Sequence, residues 1–275
     1  MSFFEKFIHF LQYEIERPQT FGVFHLAFLA ATIIASVLLV IFFKDSSDKT
    51  LRRILFGIWI VMVLLEVYKQ LVFSMHVTDG VADWNYQWYA FPFQFCSTPL
   101  YALPFIIFLK EGWLRESFIA FFASFSLFAG IAVMIYPNDV FIGTLGINIQ
   151  TMVHHGSQVA IGVLVAAHKR KRTDLHHLFG SLMIFYGFTI IAIISNISVH
   201  NYFVANQITD ESFNMFFISP YYPCTLPVLS SIYAALPYPA FLAIYIIGFA
   251  LVAAIFFGIE RGIYYICRKV KKIIK

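Results

Sequence analysis

Two adjacent histidines, His154 and His155, stand in a stretch otherwise apolar enough for a bilayer, with Gln158 close behind. Asn148, Thr151, His155 and Gln158 are separated by three, four and three residues, so a helix would set them on one face. Glu66 and Gln70, four apart, share a face in the same way, as Gln94, Thr98 and Tyr101 would on a third helix. His25, Lys69, Cys96, Gln150, His154 and Asn196 complete the set. Polar side chains inside a membrane are costly and turn toward the interior of the bundle or a cavity. Apart from Tyr101, these fall in what reads as the outer half of a spanning segment, whereas the inner halves are nearly pure Leu, Ile, Val, Phe and Ala. A shared polar cavity on the external side is one reading. Interhelical hydrogen bonds, worth ~0.6 kcal/mol each, are the other.

Three chemistries suit these residue types. A zinc site would draw on His25, Glu66, His154 and His155. Adjacent helical histidines point about 100° apart, however, and no HxxxH or HExxH spacing occurs in the spans, so no metal and no cofactor is expected. Cys96 with His155 could serve as nucleophile and base. Glu66 with a histidine could carry a proton for a coupled transporter. Cys96, Cys224 and Cys267 lie far apart without a CxxC, which argues against a disulfide framework or a zinc ribbon.

The elements that must position these groups follow from composition. With 60% hydrophobic and 12% charged residues and a mean hydropathy of +0.77, the chain has too much apolar surface for one water-soluble core. Runs of about 20 apolar residues predict an all-α, polytopic membrane protein. Seven spans are expected, at 21–43, 54–74, 89–109, 117–136, 148–168, 178–199 and 238–260, in one domain over 1–275. Lys and Arg gather in alternate connections, at Lys44 to Arg53, Lys110 and Arg115, Lys169 to Arg172, and in the tail. That alternation sets the N-terminus outside and the C-terminus in the cytoplasm of a multi-pass cell-membrane protein. The basic residues are thus orientation signals, and no nucleic-acid partner is expected despite a net charge of +4. The start lacks the pattern of a cleavable signal peptide. Residues 2–16 read as an amphipathic interfacial helix, with Phe4, Phe7, Ile8, Leu11 and Ile15 on the helical period, ended by Arg17-Pro18. Residues 200–237, rich in Pro and aromatics, form a long external loop that is either a surface loop or a partly re-entrant cap.

Several short segments carry a resemblance. Phe21 to His25, Phe91-Pro92-Phe93-Gln94-Phe95-Cys96, His155-Gly156, Asn196, Asn201-Tyr202-Phe203, Phe217-Ile218-Ser219-Pro220 and Pro237-Tyr238 occur in order along the chain. Together they resemble the YwaF-like bacterial integral membrane proteins. More distantly, they are similar to the eukaryotic seven-helix acyltransferase that builds ether phospholipids. The eukaryotic likeness implies transfer of a fatty acyl chain through a cysteine, with a histidine as base. Phe93 and Gln94 stand where those relatives carry a cysteine and a histidine, while Cys96 resembles the cysteine of the bacterial motif. The expectation is therefore a lipid acyltransferase or transacylase with a membrane lipid or acyl chain as partner. His155 would be base and Cys96 nucleophile, Gln94 and Asn196 would donate to an acyl oxyanion, and His25, Glu66, His154, Gln158 and Asn201 would line the substrate. The alternatives are a small-solute or proton-coupled transporter, a lipid-binding receptor, or a non-catalytic membrane scaffold.

Overall fold

A computed structural model describes residues 2–78, 80–169 and 174–273. Its helices are α1 (Phe3–Leu11), α2 (Val23–Phe43), α3 (Asp48–Val72), α4 (Thr98–Phe108), α5 (Trp113–Phe121), α6 (Leu127–Ile135), α7 (Leu145–Ala167), α8 (Leu175–Ala205), α9 (Leu229–Ala235) and α10 (Tyr238–Ile273). A π-helical turn, Phe122–Ser126, joins α5 to α6 into one apolar rod. Among the described residues five helices are long and apolar enough to cross a membrane: α2, α3, the α5–α6 rod, α8 and α10. Arg170, Lys171 and Arg172, expected as orientation signals, lie outside the described residues, as do the side chains of Cys267 and the last lysines.

Helix α7 is the hub. It packs on α2, α3 and α6, while α5 packs on α8. Glycines permit that closeness: a Cβ on Gly156 would stand 2.5 Å from Thr32 Oγ1 of α2, and one on Gly130 of α6 would stand 2.8 Å from the Cβ of Gln158.

Three segments differ from the reading of the sequence. The expected helix over 89–109 is helical only from Thr98 to Phe108, with two short 3₁₀ turns before it, Trp88–Ala90 and Phe95–Ser97. Pro92 holds Phe91 extended and Pro99 sits in the first turn of α4, so the helix starts late. Pro104, inside α4, has no N–H to give the Leu100 carbonyl, and the Trp59 indole of α3 donates to it instead at 2.9 Å. Second, α1 stops at Leu11 rather than running to residue 16. The Gln12 carboxamide caps the end of α3 by donating to the carbonyls of Val72 and Met75, and the chain beyond lies extended, with Ile15 N–H on the Gly143 carbonyl at 2.7 Å. Third, an otherwise helical chain carries one antiparallel hairpin, β1 (Met75–Thr78) with β2 (Val81–Trp84), Met75 facing Trp84.

Of the expected loop over 200–237, α8 continues to Ala205, and the stretch 213–219 packs inward rather than lying on the surface. Phe213, Met215, Phe216, Ile218 and Ser219 are buried, and the Phe216 ring lies 5.7 Å from that of Phe93 and 5.5 Å from that of Phe95. Phe216 and Phe217 both take left-handed backbone, at φ 60° and 58°. Each such turn at a bulky residue costs about 1–3 kcal/mol and persists only where its surroundings enforce it. This inward-packed segment, the hairpin and α1 gather at one end of the bundle, the hairpin end. The N-terminus of α3, the C-terminus of α4 and Arg115 mark the other, basic end.

Candidate functional site

At the hairpin end, the 3₁₀ turn holding Cys96 lies against α7. What α7 grips there is the Cys96 main-chain carbonyl: His154 Nε2–H donates to it at 2.9 Å and Gln158 Nε2–H at 2.5 Å. Both lone pairs of one carbonyl are thus taken by residues four apart on α7, which fixes the turn. No hydrogen bond joins the Cys96 thiol to either histidine among the described residues. His155 is tied to its own helix, Nδ1–H donating to the Thr151 carbonyl at 2.7 Å.

These bonds settle the tautomers. A ring nitrogen facing a carbonyl must carry the proton, so the other nitrogen of the neutral ring holds a lone pair. His154 Nδ1 and His155 Nε2 are therefore acceptors, and both are buried without a partner among the described residues. Gln158 Oε1 and Glu66 Oε2 are buried and unpartnered too. The two imidazole rings lie 5.5 Å apart. Every one of these four unpaired atoms accepts; none donates. The described residues contain no group of three or more His, Cys, Asp or Glu side chains placed to hold a metal.

Glu66 belongs to a network on α3. Its Oε1 accepts from Gln70 Nε2 at 2.7 Å and from Lys69 Nζ at 2.8 Å. Gln70 in turn donates to the Ala90 carbonyl at 2.9 Å and accepts from the Tyr86 hydroxyl at 2.9 Å. Burial, reinforced by the Glu66 carboxylate, pushes the Tyr86 phenol up to about 12, so it remains a donor. Beside this network a groove of about 380 Å³ runs between α3 and α4.

Other expected site residues have architectural partners. His25 is fully buried, accepts Phe21 N–H at Nδ1 (2.8 Å) and donates from Nε2 to the Met134 carbonyl (2.8 Å), joining α2 to α6. Gln94 donates to the Asn214 carbonyl at 3.0 Å and accepts Phe216 N–H at 2.9 Å. Asn196 brackets Met215, donating to its carbonyl at 3.0 Å and accepting its N–H at 2.7 Å. Both carboxamides thus hold the inward-packed segment 214–216 at their oxygen and their nitrogen. Asn148 does the same for Ile142, at 2.9 and 2.7 Å. Asn201 is exposed on α8. The face expected for Gln94, Thr98 and Tyr101 does not form, because Gln94 precedes the helix. Tyr86, Trp59 and Asn214 were not singled out in the sequence. The one available signal was Pro104, whose missing N–H requires a substitute donor for Leu100.

A bundle with five membrane-length helices and a buried, acceptor-rich polar cluster at one end defines a polytopic α-helical membrane protein. The family follows from comparison: residues 20–260 match the TMEM164 family, and the chain belongs to it. No curated protein and no solved structure matches it.

Proposed function

We propose that this protein is a multi-pass enzyme of the cell membrane that moves an acyl chain between lipids at its hairpin end, which faces outside. Under this reading α4 with its preceding turns and α7 complete a seven-span bundle. The basic end lies in the cytoplasm, and the apolar face of α1, with Phe4 and Phe7 exposed, rests in the outer interface.

The observation that carries the proposal is the state of His155. Its Nδ1–H is spent on Thr151, which leaves the Nε2 lone pair buried, unpartnered and of the right tautomer for a general base. In the first half-reaction His155 takes the Cys96 thiol proton while sulfur attacks the ester carbonyl of a donor lipid. The proton passes to the departing alkoxide, leaving a thioester. An acceptor hydroxyl then attacks the thioester, gives its proton to His155, and the thiol is restored. His154, Gln158 and Glu66 offer acceptors to substrate donors, while His25, Gln94 and Asn196 maintain the walls. Asn201, exposed on α8, would meet substrate only at the rim.

The test is acyl exchange by the protein in nanodiscs, between a phospholipid with a labelled acyl chain and an unlabelled lysolipid, read by mass spectrometry. His155→Gln and Cys96→Ala should each abolish exchange without changing the detergent-resistant fold. Exchange undiminished in both variants sinks the proposal. Exchange lost only in His155→Gln assigns direct attack by the acceptor hydroxyl.

A further inference from the structure

The groove between α3 and α4 has mostly apolar walls and one polar point that keeps a buried atom unpaired among the described residues, since Gln70, Ser74 and Tyr101 have hydrogen-bond partners. On α3, Val63, Glu66, Val67, Gln70 and Leu71 recur at helical spacing, and from Val63 to Ser74 the stripe runs about 16 Å at 1.5 Å per residue. Leu100 and Tyr101 of α4 face it. Val67 and Leu71 are 53% and 40% exposed on the outer surface of the bundle, so the groove opens sideways, where lipid chains lie. A groove of about 380 Å³ along this stripe has room for one extended alkyl chain.

The polar point is Glu66. Its side chain is 9% exposed. Oε1 is already shared by Gln70 and Lys69, while Oε2 is buried without a partner among the described residues. An unpaired carboxylate oxygen in so apolar a setting calls for a donor. The donor is not a second cation, because the Lys69 ammonium, 2.8 Å from the same carboxylate, would repel it. Nor can it be an acid or a phosphate, whose oxygens would face Oε2 with like charge. A neutral hydroxyl satisfies both conditions.

We propose that this groove binds a neutral single-chain lipid carrying a free hydroxyl, its chain against Val63, Val67 and Leu100 and its O–H donated to Glu66 Oε2. The inference deepens the placement of Glu66 among the substrate-binding residues and names the lipid class that the residue selects. It requires no reaction.

Equilibrium binding of radiolabelled 1-monooleoylglycerol to the full-length protein in nanodiscs tests it, with the dimethyl ether of the same lipid and oleylammonium as competitors. The wild-type protein should prefer the hydroxyl form over the ether about tenfold, one charge-assisted hydrogen bond. In Glu66→Gln the groove presents an N–H in place of Oε2, so that preference should fall to near one. Val67→Trp, at a position whose side chain already faces outward, should fill the groove and remove binding while the bundle stays intact. Equal binding of alcohol and ether to the wild type, stronger displacement by oleylammonium, or full binding to Val67→Trp would each overturn the proposal. Retained binding in a wild-type protein that exchanges no acyl chains refutes the acyl-transfer reading and leaves this one standing.

Discussion

The two ends of the bundle treat buried polar groups in opposite ways. At the basic end Arg115 is 2% exposed, as buried as any histidine of the cluster, yet its donors are used. Nε donates to the Ile106 carbonyl at 2.9 Å and NH2 to Asp48 at 2.7 Å, while Arg52 takes the other Asp48 oxygen at 2.6 Å and the Ile107 and Leu109 carbonyls at 2.6 and 2.7 Å. That network closes the exposed C-terminal carbonyls of α4 and is complete. At the hairpin end His154, His155, Gln158 and Glu66 each keep one acceptor unpaired. Saturation suits a joint. Unspent lone pairs in a dry interior destabilise a fold, so the cluster is less well satisfied than the basic end.

This contrast can be broken most sharply at His155. Its replacement by Gln should lower acyl exchange by about 10²–10⁴-fold, the usual worth of a general base, in the nanodisc assay. Next in size is Arg115→Met, which takes one of two cations from Asp48 and strands the Ile106 carbonyl, and should lower unfolding stability by about 2–3 kcal/mol in a thermal or denaturant titration, with exchange per folded molecule unchanged. An active-site loss from Arg115→Met with no loss of stability would reverse the assignment of the two ends. Gln94→Ala and Asn196→Ala should each cost about 1–3 kcal/mol, since each strands main-chain groups of residues 214–216, and should speed amide exchange there. The double variant should fall short of the sum, because both side chains hold one segment. His155→Leu sharpens the comparison from the other side. Removal of an unpaired buried acceptor should raise stability by about 1 kcal/mol while abolishing turnover. The smallest effect lies in the connection before α8. Asp174 caps that helix, and the His177 backbone N–H holds its carboxyl below the ordinary 3.8. Its contribution is present above that value and is lost as pH falls through the lower folded one. Asp174→Asn should therefore flatten a slight acid-side decline in melting temperature below about pH 4.

Much of this was legible because hydropathy and helical period are strong signals over twenty residues. The five apolar helices and the helical face bearing Thr151, His155 and Gln158 follow from spacing alone. What escaped depended on partners far along the chain. Gln94 looked like a helical residue until Pro92 and Pro99 delayed α4, and its bonds go to residues 214 and 216, about 120 positions away. A sequence shows that an amide sits in an apolar run, but not whether a carbonyl across the bundle has consumed it. The same limit separated His25, whose two nitrogens are both bonded, from His155, with one free. The hairpin was missed because strands of four residues carry little periodicity.

The clamped left-handed turn at Phe216 and Phe217 also imposes an order on biogenesis. Gln94 is made about 120 residues ahead of residues 214–216, so every nascent chain passes through a stage in which its carboxamide lacks the groups that later hold it. A later part of the fold thus relieves a defect built into an earlier one, and a chain arrested before residue 214 carries in its own bundle the mark by which an incomplete protein can be told from a finished one.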